Sequence, residues 1–150
     1  MIKVLFICHG NICRSPMAEY IFKDMIKKNG IEDRFSCDSA ATSREELGNP
    51  IYPLARRKLQ EKGVPYGNHR AVQLTSADYD KYDYLIVMDE INRGNLMRII
   101  GSDPDGKVHS LLSFAGDASP IADPWYTEDF EKAYNEIVRG LTAFLKKFSE

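Results

Sequence analysis

The stretch VLFICHGNICRSPMAEY, Val4 to Tyr20, limits the possible folds more than any other part of the chain. Val4–Ile7 is short and wholly apolar, the pattern of a strand buried on both faces of a parallel sheet. Cys8, His9, Gly10 and Asn11 follow at once. Ser15 then suits an N-cap and Pro16 the first helical position. Ala18, Ile21, Phe22, Met25 and Ile26 recur at three- and four-residue spacing, and Asn29-Gly30 closes the run, so the segment predicts strand, loop, helix.

The same alternation continues. Phe35–Ala40 reads as a second strand, and a helix is predicted over about Pro53–Lys62, with Ala55 and Leu59 inward and Gly63 as its stop. Tyr84–Met88 is the clearest buried strand. Asp89-Glu90 opens a helix through Ile91, Leu96 and Ile99-Ile100 to Gly101, and Val108–Leu111 is a fourth strand. The last helix is expected to be capped by Thr127, with Glu128 and Asp129 at its positive end and Lys146-Lys147 at its negative end. Its apolar stripe is Phe130, Tyr134, Ile137, Val138, Leu141, Leu145 and Phe148, a core-facing pattern. Strands alternating with helices predict an α/β fold: a single-domain doubly wound sheet of four parallel strands with helices on both faces, spanning residues 1–150. Ligands of such sheets bind beyond the carboxyl ends of the strands, where Cys8 sits.

Charge and cysteine usage narrow the chemistry. A net charge of −2 gives no general attraction to nucleic acid or to an anionic membrane, so any affinity for phosphate must be local. The apolar start of the chain is too short for a signal peptide or membrane span. Three cysteines, an odd number without a secretory signal, point to a reducing cytoplasm rather than a disulfide framework.

Five residues separate Cys8 from Arg14, and Ser15 follows. Gly10 and Asn11 best tolerate positive φ and let the loop curl, turning N–H groups toward one point at a helix N-terminus. That is an anion nest, reinforced by the helix dipole. Arg14 offers a planar fork for two phosphate oxygens, and Ser15 can donate its hydroxyl to a central sulfur. Helix N-termini and nearby cations favour the thiolate of a cysteine, which would make Cys8 a nucleophile facing a phosphate cradle. The bare C-x5-R spacing is a weak signal, and a buried cysteine beside a solvated arginine is its plain alternative. Serine after the arginine, with a strand before and a helix after, makes the signal specific. Asp123, in IADPWYTEDF, is the best candidate acid: Pro124 stiffens the turn, and Trp125 and Tyr126 present broad aromatic faces. Read alone, an Asp-Pro is a turn residue.

CHGNICRS after an apolar strand resembles the signature loop of low-molecular-weight protein tyrosine phosphatases. DSAATS, HRAVQL, VMDEINRGNL and ADPWY fall in that family's order. The resemblance implies hydrolysis of phosphotyrosine in proteins, and of small aryl phosphates, through a phosphocysteine on Cys8. Arg14 would clamp the phosphate and Asp123 would protonate the leaving oxygen, then activate water. His9, Gly10, Asn11, Ile12, Cys13 and Ser15 of the loop, with Trp125 and Tyr126, would bind substrate. Asn11 resembles the family's strained loop asparagine; Ser39 and His69 match the positions that tie it down, and Asp89 the carboxylate that orients the arginine. Read alone, Asp89 is a helix-start acid and His69 a loop residue. Cys13 matches a second loop cysteine that can bond to the nucleophile during oxidation. No metal and no cofactor are implied. The partners are phosphotyrosine proteins, with no nucleic acid or membrane partner, and a monomer is expected.

Two departures bear on substrate choice. Several family members place a Trp or Tyr on the pocket wall near Glu45; with Glu45 or Glu46 at the rim, basic or neutral flanking sequences are favoured. In the protein-arginine phosphatase branch a threonine stands where Ile12 is here, and an apolar Ile12 resembles the tyrosine-directed loops. Arsenate reductases of this fold need a distal cysteine pair, and no cysteine follows Cys37. A phosphocysteine carrier would need neither Arg14 nor a leaving-group acid. Cys8, His9 and Cys13 lack a second ligand pair for zinc.

Overall fold

The apolar first run becomes an inner strand. In the computed structural model, which describes residues 1–149, β1 (Ile2–Cys8) pairs in parallel with β2 (Phe35–Ala41), from Ile2 opposite Phe35 to Cys8 opposite Ala41. Its other edge pairs in parallel with β3 (Tyr84–Val87), which pairs with β4 (Val108–Ser110). The strand order is β2-β1-β3-β4. The chain leaves β1 in one direction and later returns to its other side, so the topological switch lies between the carboxyl ends of β1 and β3. Those ends lead to Cys8 and to Met88-Asp89.

The helices are α1 (Arg14–Lys28), α2 (Pro53–Glu61), α3 (Asp78–Lys81), α4 (Glu90–Ile100), α5 (Pro124–Thr127) and α6 (Phe130–Lys146), with a 3-10 turn over Leu111–Ala115. The two-residue period of a strand divides β1 between two cores. Val4, Phe6 and Cys8 pack with Met17 and Phe22 of α1, Leu59 of α2, and Ile137 and Phe144 of α6. Leu5 and Ile7 face the other way, onto Tyr79 of α3 and Leu96 of α4. A run apolar at every position is what burial on both faces demands. No helix among the described residues is long and apolar enough to cross a membrane.

Several local expectations change. Helix α1 starts at Arg14, and Cys13 occupies its N-cap position without a side-chain cap bond, so Ser15 is not the cap and Pro16 is third in the helix. The Ser15 hydroxyl is engaged by Cys8 and Asn11 instead. Asp129, not Thr127, caps α6, accepting from the Lys132 N–H at 2.9 Å, while Thr127 Oγ1 accepts from the Asp129 N–H at 3.1 Å in the preceding turn. Strand β4 ends at Ser110 because Leu111 opens the 3-10 turn. The buried line of α6 runs through Ala133, Gly140 and Phe144 as well as Phe130, Ile137 and Leu141. Phe144 is fully buried, its ring centroid 4.8 Å from that of Phe114 and 5.0 Å from that of Tyr84. A Cβ at Gly140 would lie 2.6 Å from Leu111 Cγ, so glycine is what lets α6 press onto the 3-10 turn.

Candidate active site

At the end of β1 the loop 9–13 curls under Asn11, whose φ of 59° is one of two non-glycine positive values among the described residues. Asn11 is fully buried and is held from three sides. Its side-chain amide donates to Ser15 Oγ at 2.8 Å, its Oδ1 accepts from the Val72 N–H at 3.1 Å, and its carbonyl meets His69 Nε2 at 2.6 Å. These three bonds hold a backbone conformation that an L-residue rarely adopts. The expected tie from His69 is present. The expected tie from Ser39 is not: its hydroxyl donates to Glu19 Oε1 at 2.6 Å. Ser39 stands opposite Phe6 in the β1–β2 ladder, while Cys8 stands opposite Ala41, so its side chain meets α1 below the loop.

The curl leaves a row of donors. Among the described residues, the backbone N–H groups of Gly10 to Ser15 donate to no protein acceptor. A run of free N–H groups at the start of a fifteen-residue helix is an arrangement that can hold an anion. Cys8 Sγ lies 3.0 Å from Ser15 Oγ. Because that oxygen already accepts from Asn11, its own hydrogen is free to point at the sulfur.

Arg14 is only 2% exposed. Its Nη1 donates to Asp89 Oδ2 at 2.8 Å and to the Ile121 carbonyl at 2.9 Å, and its Nη2 to Asp123 Oδ2 at 3.3 Å. Both hydrogens of Nη1 are thereby used, leaving Nε–H and one hydrogen of Nη2 for a ligand, the donors of a two-oxygen clamp. Burial works against the Arg14 charge, but Cys8, Asp123 and Asp89 outweigh it and hold the guanidinium above its ordinary value. Burial, then repulsion from Cys8 and Asp123, pushes the Cys13 thiol well up. The two loop cysteines are both free thiols.

Asp89 also caps α4, with Oδ1 accepting from the Asn92 N–H at 2.7 Å. Asp123 caps α5, with Oδ1 accepting from the Trp125 N–H at 3.0 Å. The segment before it is pinned to α6: Arg139 pairs with Asp117 at 2.7 Å and Glu136 accepts from the Ala122 N–H at 3.0 Å. Tyr52, whose N–H donates to the Ile12 carbonyl at 2.8 Å, holds its ring 5.1 Å from that of Trp125 and braces the wall.

These groups line one cleft of about 420 Å³. Cys8, His9, Gly10, Ile12, Cys13, Arg14, Asp89, Asp123, Trp125 and Tyr126 all reach it, as do Glu45 and Glu46. The side chains of Asn11 and Ser15 scaffold the loop while their backbone N–H groups stay free, and His69 supports the loop from behind. Asn92, Ile91 and Tyr52 were not foreseen. An asparagine in a first helical turn carries no sequence signal for a site, and Tyr52 acts through a packing contact that periodicity does not reveal.

A sulfur at the base of an anion nest, an arginine clamp and a carboxylate beside it can accept a phosphoryl group and exchange a proton. The family model described as low molecular weight phosphotyrosine protein phosphatase matches residues 3–150. The chain is 37% identical over 147 residues to the low molecular weight protein-tyrosine-phosphatase YfkJ of Bacillus subtilis, covering 97% of this chain and 94% of that one. It is 38% identical to the human low molecular weight phosphotyrosine protein phosphatase over 152 residues, with the same coverage. The crystal structure of YfkJ superposes with a TM-score of 0.94 over 100% of this chain and 98% of that one, at 36% identity. A Drosophila arginine phosphatase superposes with a TM-score of 0.90 at 29% identity, covering 99% of each chain. The matches run over nearly the whole chain, and the chain belongs to the low molecular weight protein tyrosine phosphatase family of phosphomonoester hydrolases.

Proposed function

We propose that the chain hydrolyses phosphotyrosine in proteins, with Cys8 as nucleophile, Arg14 as phosphate clamp and Asp123 as general acid and base. The observation that carries this reading is that Cys8, the loop after it with its free N–H groups, and Arg14 line one cleft, with Asp123 on Arg14. The Cys8 thiolate attacks phosphorus and the bond to the tyrosine oxygen breaks. Asp123 gives that oxygen its proton. Its carboxylate then takes a proton from water, whose oxygen attacks phosphorus, breaks the S–P bond and returns the thiolate. The N–H groups and Arg14 hold the equatorial oxygens in both steps.

Phosphoarginine is the competing substrate, since a Drosophila arginine phosphatase shares the fold. Ile12, Ile91, Trp125 and Tyr126 give the cleft apolar and aromatic surface that suits an aryl ring. Glu45 and Glu46 add negative charge, Glu45 with a 2.9 Å contact to His9 Nε2, which favours basic over acidic flanking residues. Parallel turnover assays are expected to rank a phosphotyrosine peptide with basic flanks first, one with acidic flanks second and free phosphoarginine last. Faster turnover of phosphoarginine would overturn the substrate assignment.

Cys13 has a second role in this reading. Peroxide oxidises the Cys8 thiolate to a sulfenic acid; the Cys13 thiol attacks that sulfur, water leaves and a disulfide forms. A thiol reductant then restores both cysteines. Peroxide inactivation of Cys13→Ser is therefore expected to be substantially less reversible by dithiothreitol than that of the unmodified protein, and equal recovery would remove this role.

A further inference from the structure

We propose that Asn92 is a positioning residue that holds the phosphate clamp and the acid segment in one register. A closed hydrogen-bonded ring passes through it. Arg14 Nη1 donates to Asp89 Oδ2 at 2.8 Å and to the Ile121 carbonyl at 2.9 Å. The Ile121 N–H donates to the Met88 carbonyl at 2.8 Å. The Met88 N–H donates to Asn92 Oδ1 at 3.3 Å, and the Asn92 N–H donates to Asp89 Oδ1 at 2.7 Å, which returns the path to Arg14.

The capping of α4 does not explain this side chain. The cap needs only the Asp89 carboxylate and the backbone N–H of residue 92, which any residue but proline supplies. The Asn92 side chain is 1% exposed and reaches back to the residue just beyond β3. It fixes the N–H of Met88 while Ile121 fixes its carbonyl. Asp89 follows Met88 directly, and Asp123 stands two residues after Ile121 with its carboxylate 3.3 Å from Arg14. Releasing the Met88 N–H therefore loosens Asp89 and Asp123 together, although Asn92 makes no bond to Arg14 itself.

A merely structural asparagine would change stability and leave the kinetic pattern alone. Displacing reacting groups by about an ångström costs on the order of 100-fold. Asn92→Ala is expected to lower kcat/KM for phenyl phosphate by ~10–100-fold, a larger loss than for para-nitrophenyl phosphate, whose better leaving group depends less on the acid. The inhibition constant of inorganic phosphate should rise several-fold with it. Asn92→Asp retains an oxygen acceptor for the Met88 N–H and should recover most of the leaving-group pattern, and it carries the comparison if the alanine variant does not fold. Cys8→Ser is assayed beside them, because the proposal rests on the assignment of Cys8, Arg14 and Asp123. Activity surviving in Cys8→Ser overturns that assignment. An inactive Cys8→Ser together with a folded Asn92→Ala of unchanged leaving-group ratio and phosphate inhibition overturns the role of Asn92 alone, as does an Asn92→Asp variant that folds but matches neither the wild-type ratio nor its phosphate inhibition.

Discussion

Cys8→Ser is expected to abolish hydrolysis of para-nitrophenyl phosphate, a loss on the order of 10⁵-fold or more when a covalent nucleophile is removed. The size follows from what surrounds the sulfur. Cys8 is 4% exposed at the carboxyl end of β1, touched by the Ser15 hydroxyl and followed by free N–H groups at a helix start. Removing the sulfur removes the atom that would form the covalent bond to phosphorus, and a serine hydroxyl in its place is a far weaker nucleophile. The substitution leaves the cradle in place. Asn11 remains clamped by His69, Val72 and Ser15, and Arg14 remains paired with Asp89 and Ile121. Inorganic phosphate should therefore still bind within a few-fold of its affinity for the unmodified protein, as read by calorimetry. Turnover at a normal rate would show that another group attacks phosphorus, and loss of phosphate binding with loss of turnover would show that the cradle needs the sulfur to form.

Signals carried by adjacent residues were legible in the sequence. The apolar run Val4–Ile7, the glycine and asparagine after it and the Arg-Ser-Pro entry to a helix lie within a few positions, and the structure places them as strand, loop and helix. Asp89 was readable for the same reason, since an N-cap acts on the next turn of its own helix. The Ser15 hydroxyl reaches the Cys8 sulfur as expected, but its cap role and the Ser39 tie went astray because a hydroxyl takes the nearest acceptor or donor that the folded chain supplies. The β1–β2 register puts Ser39 beside Glu19, and the loop curl puts Ser15 beside Cys8 and Asn11. Thr127 and Asp129 are two residues apart and both are good caps, so composition could not rank them; the left-handed turn at Glu128, φ 62°, decides for Asp129. Asn92 was invisible for a different reason. Its importance comes from Ile121, a residue distant in sequence whose carbonyl and N–H close the ring with Arg14 and Met88.

Asp123→Ala is expected to lower kcat for phenyl phosphate by about 10²–10⁴-fold, roughly 2.7–5.5 kcal/mol of transition-state stabilisation. The carboxylate is doubly held, Oδ1 by the Trp125 N–H at 3.0 Å and Oδ2 by Arg14 Nη2 at 3.3 Å, and the longer of these faces the phosphate clamp. A group fixed beside the clamp can meet the leaving oxygen of a phosphate ester held there, and later the attacking water. Two effects of the substitution must be separated. Losing the contact to Arg14 frees one donor, which should leave inorganic phosphate binding unchanged or slightly tighter. Losing the proton penalises only the steps that need it, so the loss should be smaller for para-nitrophenyl phosphate in the first step, while hydrolysis of the phosphocysteine slows for every substrate. A burst of para-nitrophenolate followed by slow turnover would then appear in rapid-mixing kinetics. A loss of equal size for both esters without a burst would mean that Asp123 serves only to hold Arg14, and the acid would have to be sought among the other carboxyl groups at the cleft, of which Glu46 lies close enough to the loop that a Cβ on Gly10 would sit 3.2 Å from its Cγ.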